Sequence, residues 1–521
     1  MKLININRLL PILIVGLLLP ISACEDFLEE DFRSGITTDN FFNNDAEAVL
    51  AINGVYRLLL RGNMYRTRGL DNYYQNGADE TGPSRNVNGN IHNYNIAEGI
   101  ADGNGTWSTC YEIVRNTSLF IERIEGNDNI SEGVRDQALG ELLFLRSLAY
   151  YHLTNLWGDV PYFRTLLSVE ELSVIGRTDR DLIRTEVKAD LARAFELLPA
   201  QYTGADLARA SKWAAAALKA KMHLADQEWT EAKAECLKII NDSPHRLLAN
   251  FADVFDQSDP ANQYNDEMIY SVDFTRDPIF GDGNTSRTDD YNPRLRDEPS
   301  NRNNRPGGAG TPTRWQLLQD TLRSMDEDMT GFGWAVPLPE LADQTNWEEG
   351  DLRYDVTIVK EYAGFVLRFP YFRKNWNLDQ INSPRSNHPE NYVVFRLADI
   401  YLMAAEAENE LNGPDDAYQY VNAVRARAFE PDKPWSGMSQ ESFREAMYDE
   451  RKFELCAEGH RRMDLIRWGI LLDVVRTVEH RSFNNPGANI QPYHVLLPIP
   501  LNELLINENL LTSDPTNNGY R

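Results

Sequence analysis

The sequence predicts a mainly α-helical protein assembled from helix pairs, and three observations carry that prediction. Long segments repeat apolar residues at helical spacing. Several of these segments follow one another across short polar breaks, as paired helices do. Residues 450–469, ERKFELCAEGHRRMDLIRWG, place Glu450, Arg451, Glu454, Glu458, Arg461, Arg462, Asp464 and Arg467 at i,i+3 and i,i+4 spacing. Between those charges stand Phe453, Leu455, Leu465, Ile466 and Trp468, which leaves no wide polar stripe. Charges packed against apolar neighbours stay ionised only when paired, and the bidentate fork of arginine does this best. The pattern predicts an ion-pair lattice between helices rather than a catalytic centre.

Taken in order, the first 23 residues stand outside the fold. Lys2 and Arg8 precede an apolar run over 9–19, too short to span a bilayer and typical of a signal peptide. Ser22 and Ala23 directly before Cys24 read as a lipobox with Cys24 acylated; an ordinary secretory signal cut near Ala23 is the alternative. Lipidation is preferred because Cys24 sits at the cleavage point and Glu25, Asp26, Glu29, Glu30 and Asp31 follow at once. Asp45 is placed to cap a helix carrying Ala46, Val49, Leu50, Tyr56 and Leu60. A second helix runs through Leu142, Leu145, Leu148, Ala149, His152 and Leu156 and stops at Gly158. Helices are predicted at 181–198 and as a pair over 213–240, where the alanines after Trp213 permit close packing. Two more pairs follow, 395–413 with 415–428, and 443–455 with the charged stretch. Such pairs resemble tetratricopeptide repeats without a strict 34-residue period. Residues 352–376 alternate enough for a minor β-hairpin, whereas 71–106 and 275–313 are crowded with turn formers and predict long loops.

Composition narrows the function. A formal charge of −27, becoming −29 once Lys2 and Arg8 leave with the signal peptide, excludes general nucleic-acid or anionic-surface binding. No other apolar run is long enough to cross a bilayer, so the mature chain is anchored rather than spanning. With Cys24 acylated, Cys110, Cys236 and Cys456 remain, each among apolar neighbours, and buried free thiols are expected. There is no CxxC, HExxH, GxSxG or P-loop, and no cofactor or metal is expected. Asp102, Asn104 and Thr106 alternate like calcium ligands, but Ile113 stands where an EF-hand loop needs Glu. The acidic neighbours Asp79/Glu80 and Asp289/Asp290 carry little weight among 79 acidic residues, and His460 with Asp464 lacks a nucleophile.

Seven segments in order resemble the SusD/RagB family of outer-membrane nutrient-binding lipoproteins. They are CEDFLEE, TTDNFF with DAEAVLAINGVY, LFLRSLAYYHLTNLWGDVPYF, KWAAAALKAKMHLADQEWTEA, FRLADIYLMAAEAENE with VNAVRARA, residues 450–469, and LLPIP with the ending NNGY. The ending lacks the proline of the commoner QNPGY. The resemblance implies a tetratricopeptide-like helix-pair scaffold under an irregular, loop-rich ligand face, divided as signal peptide 1–23, N-terminal region 24–270 and C-terminal region 271–521 of one intertwined unit. It implies a non-enzymatic, cell-surface, lipid-anchored outer-membrane protein that captures oligosaccharides for a SusC-like TonB-dependent transporter. A peptide ligand, as in the RagB branch, is the alternative; a surface glycoside hydrolase is a third reading, which the resemblance opposes.

A sugar binder needs aromatic platforms beside amide, carboxylate or guanidinium groups. The first loop offers Tyr73, Tyr74, Asn76, Asp79, Arg85, Asn86, Asn88, His92, Tyr94 and Asn95; the family's starch-binding member draws contacts from this part of the chain and from a central loop. The central region here supplies Tyr291, Arg294 and Trp315. Its arginines Arg287, Arg294, Arg296, Arg302 and Arg305 suit acidic groups on either a peptide or a sugar.

Overall fold

A computed structural model of the protein describes residues 41–85, 91–98, 101–256, 260–275, 285–293, 314–325, 331–376, 388–481 and 485–521. Helices α1 (Asp45–Leu59), α2 (Gly69–Tyr74), α3 (Ala101–Ile124), α4 (Glu132–Trp157), α5 (Arg180–Leu197), α6 (Lys212–Ala225) and α7 (Trp229–Asp242) come first. Successive long helices pack on one another: α3 on α4, α4 on α5, α5 on α6, α6 on α7. After a central irregular region, α8 (Arg287–Tyr291), α9 (Arg314–Ser324) and α10 (Arg353–Thr357) are short. Then α11 (Leu397–Asn412) packs on α7, and α12 (Tyr418–Arg425), α13 (Gln440–Leu455) and α14 (Arg461–Arg467) complete the scaffold. The fold is mainly α and tetratricopeptide-like, as the helical spacing predicted.

Local chemistry explains the boundaries. Asn44, not Asp45, caps α1, its side chain accepting the Glu47 N–H. Asp45 is the first helical residue and instead accepts from the Ser131 N–H (2.7 Å) and Oγ (2.8 Å), tying the start of α1 to the start of α4. The predicted stop at Gly158 holds, with φ +74°. From Ala138 to Trp157 almost every residue of α4 is buried, which makes it the axis of the scaffold. In α6, Ala214, Ala215, Ala216, Ala217 and Ala220 have essentially no exposure, so neighbouring helices approach closely.

Among the described residues there are three two-stranded antiparallel ribbons. They pair β1 (Thr81–Gly82) with β3 (Val336–Pro337), β2 (Met268–Val272) with β6 (Tyr392–Arg396), and β4 (Ile358–Tyr362) with β5 (Phe365–Phe372). The last is the hairpin predicted within 352–376, although 353–357 are helical. The first expected loop is also shorter than its composition suggested: residues 69–74 and 101 onward are helical. The main core lies along the helices, and a second cluster of Tyr291, Leu318, Trp347, Tyr354, Tyr371, Phe372 and Trp376 lies under the irregular face. Among the described residues, Cys110, Cys236 and Cys456 are free and buried, and no helix is long and apolar enough to cross a membrane. Cys24 and residues 1–23 lie outside the described residues.

Candidate functional site

The charged stretch forms the expected lattice, but not as one continuous helix. Between α13 and α14 the chain turns through Ala457 (φ +59°) and Gly459 (φ +80°). A Cβ on Gly459 would stand 2.8 Å from the Tyr392 hydroxyl, so glycine fits here on two counts. The turn aims Glu458 at Arg396 (2.6 Å) and Lys374 (2.7 Å). Glu454 accepts from Arg353 (3.2 Å), Arg396 (2.8 Å) and Arg427 (2.8 Å), all buried. Burial alone would raise the Glu454 carboxyl; the three guanidiniums reverse this and hold it far below the usual range. Glu458, under the same opposition, is held at about 2. Glu454, Glu458, Arg451, Arg461 and Asp464 are each matched by an opposite charge, while Arg462 donates to the carbonyls of Tyr73 and His494, which makes this region structural.

The sequence-predicted ligand residues divide sharply. Tyr73, Tyr74, Tyr94 and Tyr291 have exposures of 4%, 5%, 3% and 2%, so none presents an open ring face. The Tyr74 hydroxyl bonds His152 Nδ1 (2.6 Å), Tyr94 donates to the Gly77 carbonyl, and Tyr291 donates to Gln75 Oε1 (2.8 Å). For Tyr74, Tyr94 and Tyr291 the ring can enter the core because the hydroxyl finds a buried partner. Asn76 is buried in a turn with Asn72 and Thr81, and Asp79 is gripped by Arg461 (2.7 and 2.8 Å). His92 is buried as well, and burial lowers it to about 3. Arg287, one of the central arginines, is held by Asp71 (2.6 Å) and the Ala457 carbonyl (3.1 Å). Arg85 is half-buried and Asn95 exposed. Asn86, Asn88 and Arg294 lie outside the described residues, and Trp315 lies on α9.

The structure brings together instead an indole between guanidiniums, of which only Arg85 comes from a predicted loop, while Arg68 and Trp334 lie outside both. The antiparallel register Thr81↔Pro337 and Gly82↔Val336 brings the chain around Arg85 towards the segment that bears Trp334. The Arg85 guanidinium lies 4.1 Å from the Trp334 ring centroid, and that of Arg68 lies 4.3 Å from it and 5.6 Å from Phe332. Arg68 Nε donates to both oxygens of Asp290 (3.0 and 3.1 Å). Burial pushes the Asp290 carboxyl up to about 7, against the pull of Arg68. The segment bearing Phe332 and Trp334 is clamped by backbone bonds from Gly331, Phe332, Gly333 and Ala335 to the carbonyls of Pro293, Asp289, Asn292 and Asp290 (2.8, 2.5, 3.0 and 3.0 Å). Gly331 permits this approach: a Cβ there would meet Asn292 Cβ and the Asp289 carbonyl oxygen at 2.5 Å. Phe332 and Trp334 remain half-buried. Sequence reading missed Arg68, Phe332 and Trp334; the alternation Gly331-Phe332-Gly333-Trp334 is the signal that marks them.

Other candidate chemistry is closed off or differently suited. Asp79 and Glu80 are buried, and Asp289 meets His388 (3.1 Å) while Asp290 meets Arg68. His460 Nδ1 faces Lys221 Nζ (2.7 Å), whereas Asp464 is taken by Arg451 and Arg467 (2.9 Å each), so these two do not form a dyad. A cavity of about 530 Å³ near Tyr151, Arg184, Lys188, Lys221 and His460 has its cations paired with Asp226, Glu228 and Asp399. A more apolar groove of about 580 Å³ lies between Trp107, Tyr111, Phe163, Leu172 and Leu510, edged by Val169 (77% exposed) and Ile506 (73%).

Residues 367–520 match the family described as "SusD family", and residues 26–224 match "Starch-binding associating with outer membrane". The chain is 45% identical to SusD-like protein P25 of Formosa agariphila, over 98% of this chain and 99% of that one. Among solved structures, a laminarin-binding SusD-like protein is similar with a TM-score of 0.71 at 22% identity, covering 89% of this chain and 98% of the other. Surface glycan-binding protein A from Bacteroides fluxus gives 0.71 at 22% identity, covering 88% and 96%. At such identities these two structures establish the shared fold.

Proposed function

The chain belongs to the SusD family, and from that premise we propose that it is a glycan-binding protein of the cell surface. It captures oligosaccharides and delivers them to a SusC-like TonB-dependent transporter of the outer membrane, held there by a lipid on Cys24. It binds without cleaving, so affinity comes from hydrogen bonds and ring contacts. The match to a family described as starch-binding and associating with the outer membrane supports the location and the ligand type.

The observation that carries the ligand site is the Arg68–Trp334–Arg85 stack. Only Arg85 of the three falls in a region from which ligand contacts were expected, and the stack sits on a clamped backbone, so little ordering is needed on binding. Phe332, against Arg68, belongs to the same face. Delivery requires a second surface, and we assign it to the groove edged by Val169 and Ile506, because large exposed apolar side chains beside an apolar groove mark protein contacts.

A screen of the mature chain, residues 25–521, against neutral and acidic oligosaccharides and peptide pools tests the reading. At least one glycan class binds, and Trp334→Ala abolishes that binding while the unfolding midpoint stays put. Peptide binding with glycan silence would overturn the glycan assignment. Undiminished glycan binding by Trp334→Ala would overturn the site.

A further inference from the structure

A further cavity, of about 160 Å³, lies between the loop joining α5 to α6, the turn at Pro244 and His245 after α7, and residues 264–271. Its volume suits a single ring, since an apolar cavity of roughly 150 Å³ takes up one benzene molecule. Tyr202 and Tyr264 stand half-buried in its wall, and their hydroxyls donate to Glu141 (3.3 Å) and to Asp273. Those bonds fix the two rings and leave recognition to other groups. The Asp266 carbonyl can only accept, so His245 donates to it from Nδ1 (3.2 Å). Burial lowers the imidazole, which stays neutral and keeps Nε2 as an acceptor. Arg209, the cation of the wall, donates from its three nitrogens to Asp206, Glu141 and Asn53, whereas Asp266 is exposed. The charge on offer is therefore negative, which suits a neutral ligand that donates hydroxyls and disfavours an oxyanion.

Ser211 and Ser271 line the same cavity. They are 8% and 7% exposed, and neither hydroxyl has a hydrogen-bond partner among the described residues. Ser211 stands at the N-cap of α6 yet makes no capping bond there. A buried hydroxyl without a partner is costly, and two beside one cavity are accounted for by a ligand whose own hydroxyls complete them. We propose that this cavity is a second saccharide site, taking one neutral pyranose unit, a chain end or a branch, because a longer segment exceeds its volume. It shares no residue with the Arg68–Trp334–Arg85 face, so it goes beyond the reading above and stands or falls separately.

The experiment is ligand-observed NMR of the mature chain with the methyl glycosides of glucose, galactose, mannose and xylose. Methyl glucuronoside is the acidic control and glycerol the open-chain control. At least one neutral glycoside binds, and it binds Trp334→Ala equally well. His245→Phe keeps a ring but loses the Nε2 acceptor, and weakens that glycoside about tenfold, as the loss of one hydrogen bond does. Ala200→Trp, at an exposed position of the rim, blocks the cavity and abolishes binding while the unfolding midpoint stays put. A glycoside lost from Trp334→Ala but retained by Ala200→Trp overturns the second site. Glycerol bound as tightly as any glycoside overturns the single-ring ligand, and a preference for the glucuronoside overturns its neutrality. Silence towards all the neutral glycosides overturns the inference and leaves oligosaccharide binding at Trp334 untouched.

Discussion

Arg353, Arg396 and Arg427 in the scaffold and Arg68 and Arg85 on the irregular face use the same side chain in opposite ways. The scaffold arginines are buried and meet Asp351, Glu267, Glu450, Glu454 and Glu458, with their neighbouring carboxylates shared between them. The face arginines lie against one indole and remain partly open, Arg68 with Asp290 as a carboxylate partner. Saturated burial makes an arginine a structural clamp, costly to break and unavailable to a ligand. Stacking with open edges makes it a recognition group. The difference teaches that arginine content alone does not locate a ligand site; the count of carboxylates within reach does.

The comparison breaks first at Glu454. Glu454→Ala removes the carboxylate shared by three buried guanidiniums and lowers stability by about 3–5 kcal/mol, read by chemical denaturation. If that loss were under about 1 kcal/mol, the lattice would not be the clamp described here.

Acid and base probe the same core in opposite senses. The carboxyls of Glu454, Glu458 and Asp464 are depressed in the folded chain; their contribution is complete above the ordinary carboxylate range and disappears as pH falls towards about 2. Glu80 runs the other way. Burial, opposed by Arg461, raises it from 4.5 to about 8, so folding loses up to about 1.4 kcal/mol per pH unit between those values. Glu80→Gln keeps an acceptor for the Ala457 N–H, and its stability relative to wild type rises from pH 5 to pH 8. A flat difference across that range would place the Glu80 charge in a solvated setting.

Smaller effects sharpen the face. Gly331→Ala forces the Phe332–Trp334 segment away from Asp289 and Asn292. It weakens ligand binding about tenfold while costing about 1–2 kcal/mol of stability, as local overpacking does. Arg85→Gln changes stability by less than about 0.5 kcal/mol, as surface changes do, and acts on affinity alone. A stability loss as large as that of Glu454→Ala would erase the distinction between the two groups of arginines.

The scaffold was legible in the sequence because its signals are local. Helical spacing, the alanines of α6, Gly158 and the interleaved charges of 450–469 each act within a few turns. The turn at Ala457 and Gly459 was missed because charge spacing continued through it. The face was harder to read. Tyr73, Tyr74, Tyr94 and Tyr291 occur in turn-rich sequence, yet their hydroxyls are satisfied by His152, Gly77 and Gln75 or their rings lie in the core, and those partners come from other parts of the chain. Trp334 was overlooked because it meets Arg85 and Arg68 across a ribbon that pairs residues 81 and 337. Pairings of that span leave no periodicity to read.

The most direct test is hydrogen exchange of the mature chain with and without the oligosaccharide that binds it. The account predicts slowed exchange in the peptides covering 68–85 and 331–337, with 440–467 unchanged. Protection centred instead on the cavity near Arg184, Lys221 and His460, with none at 331–337, would contradict it.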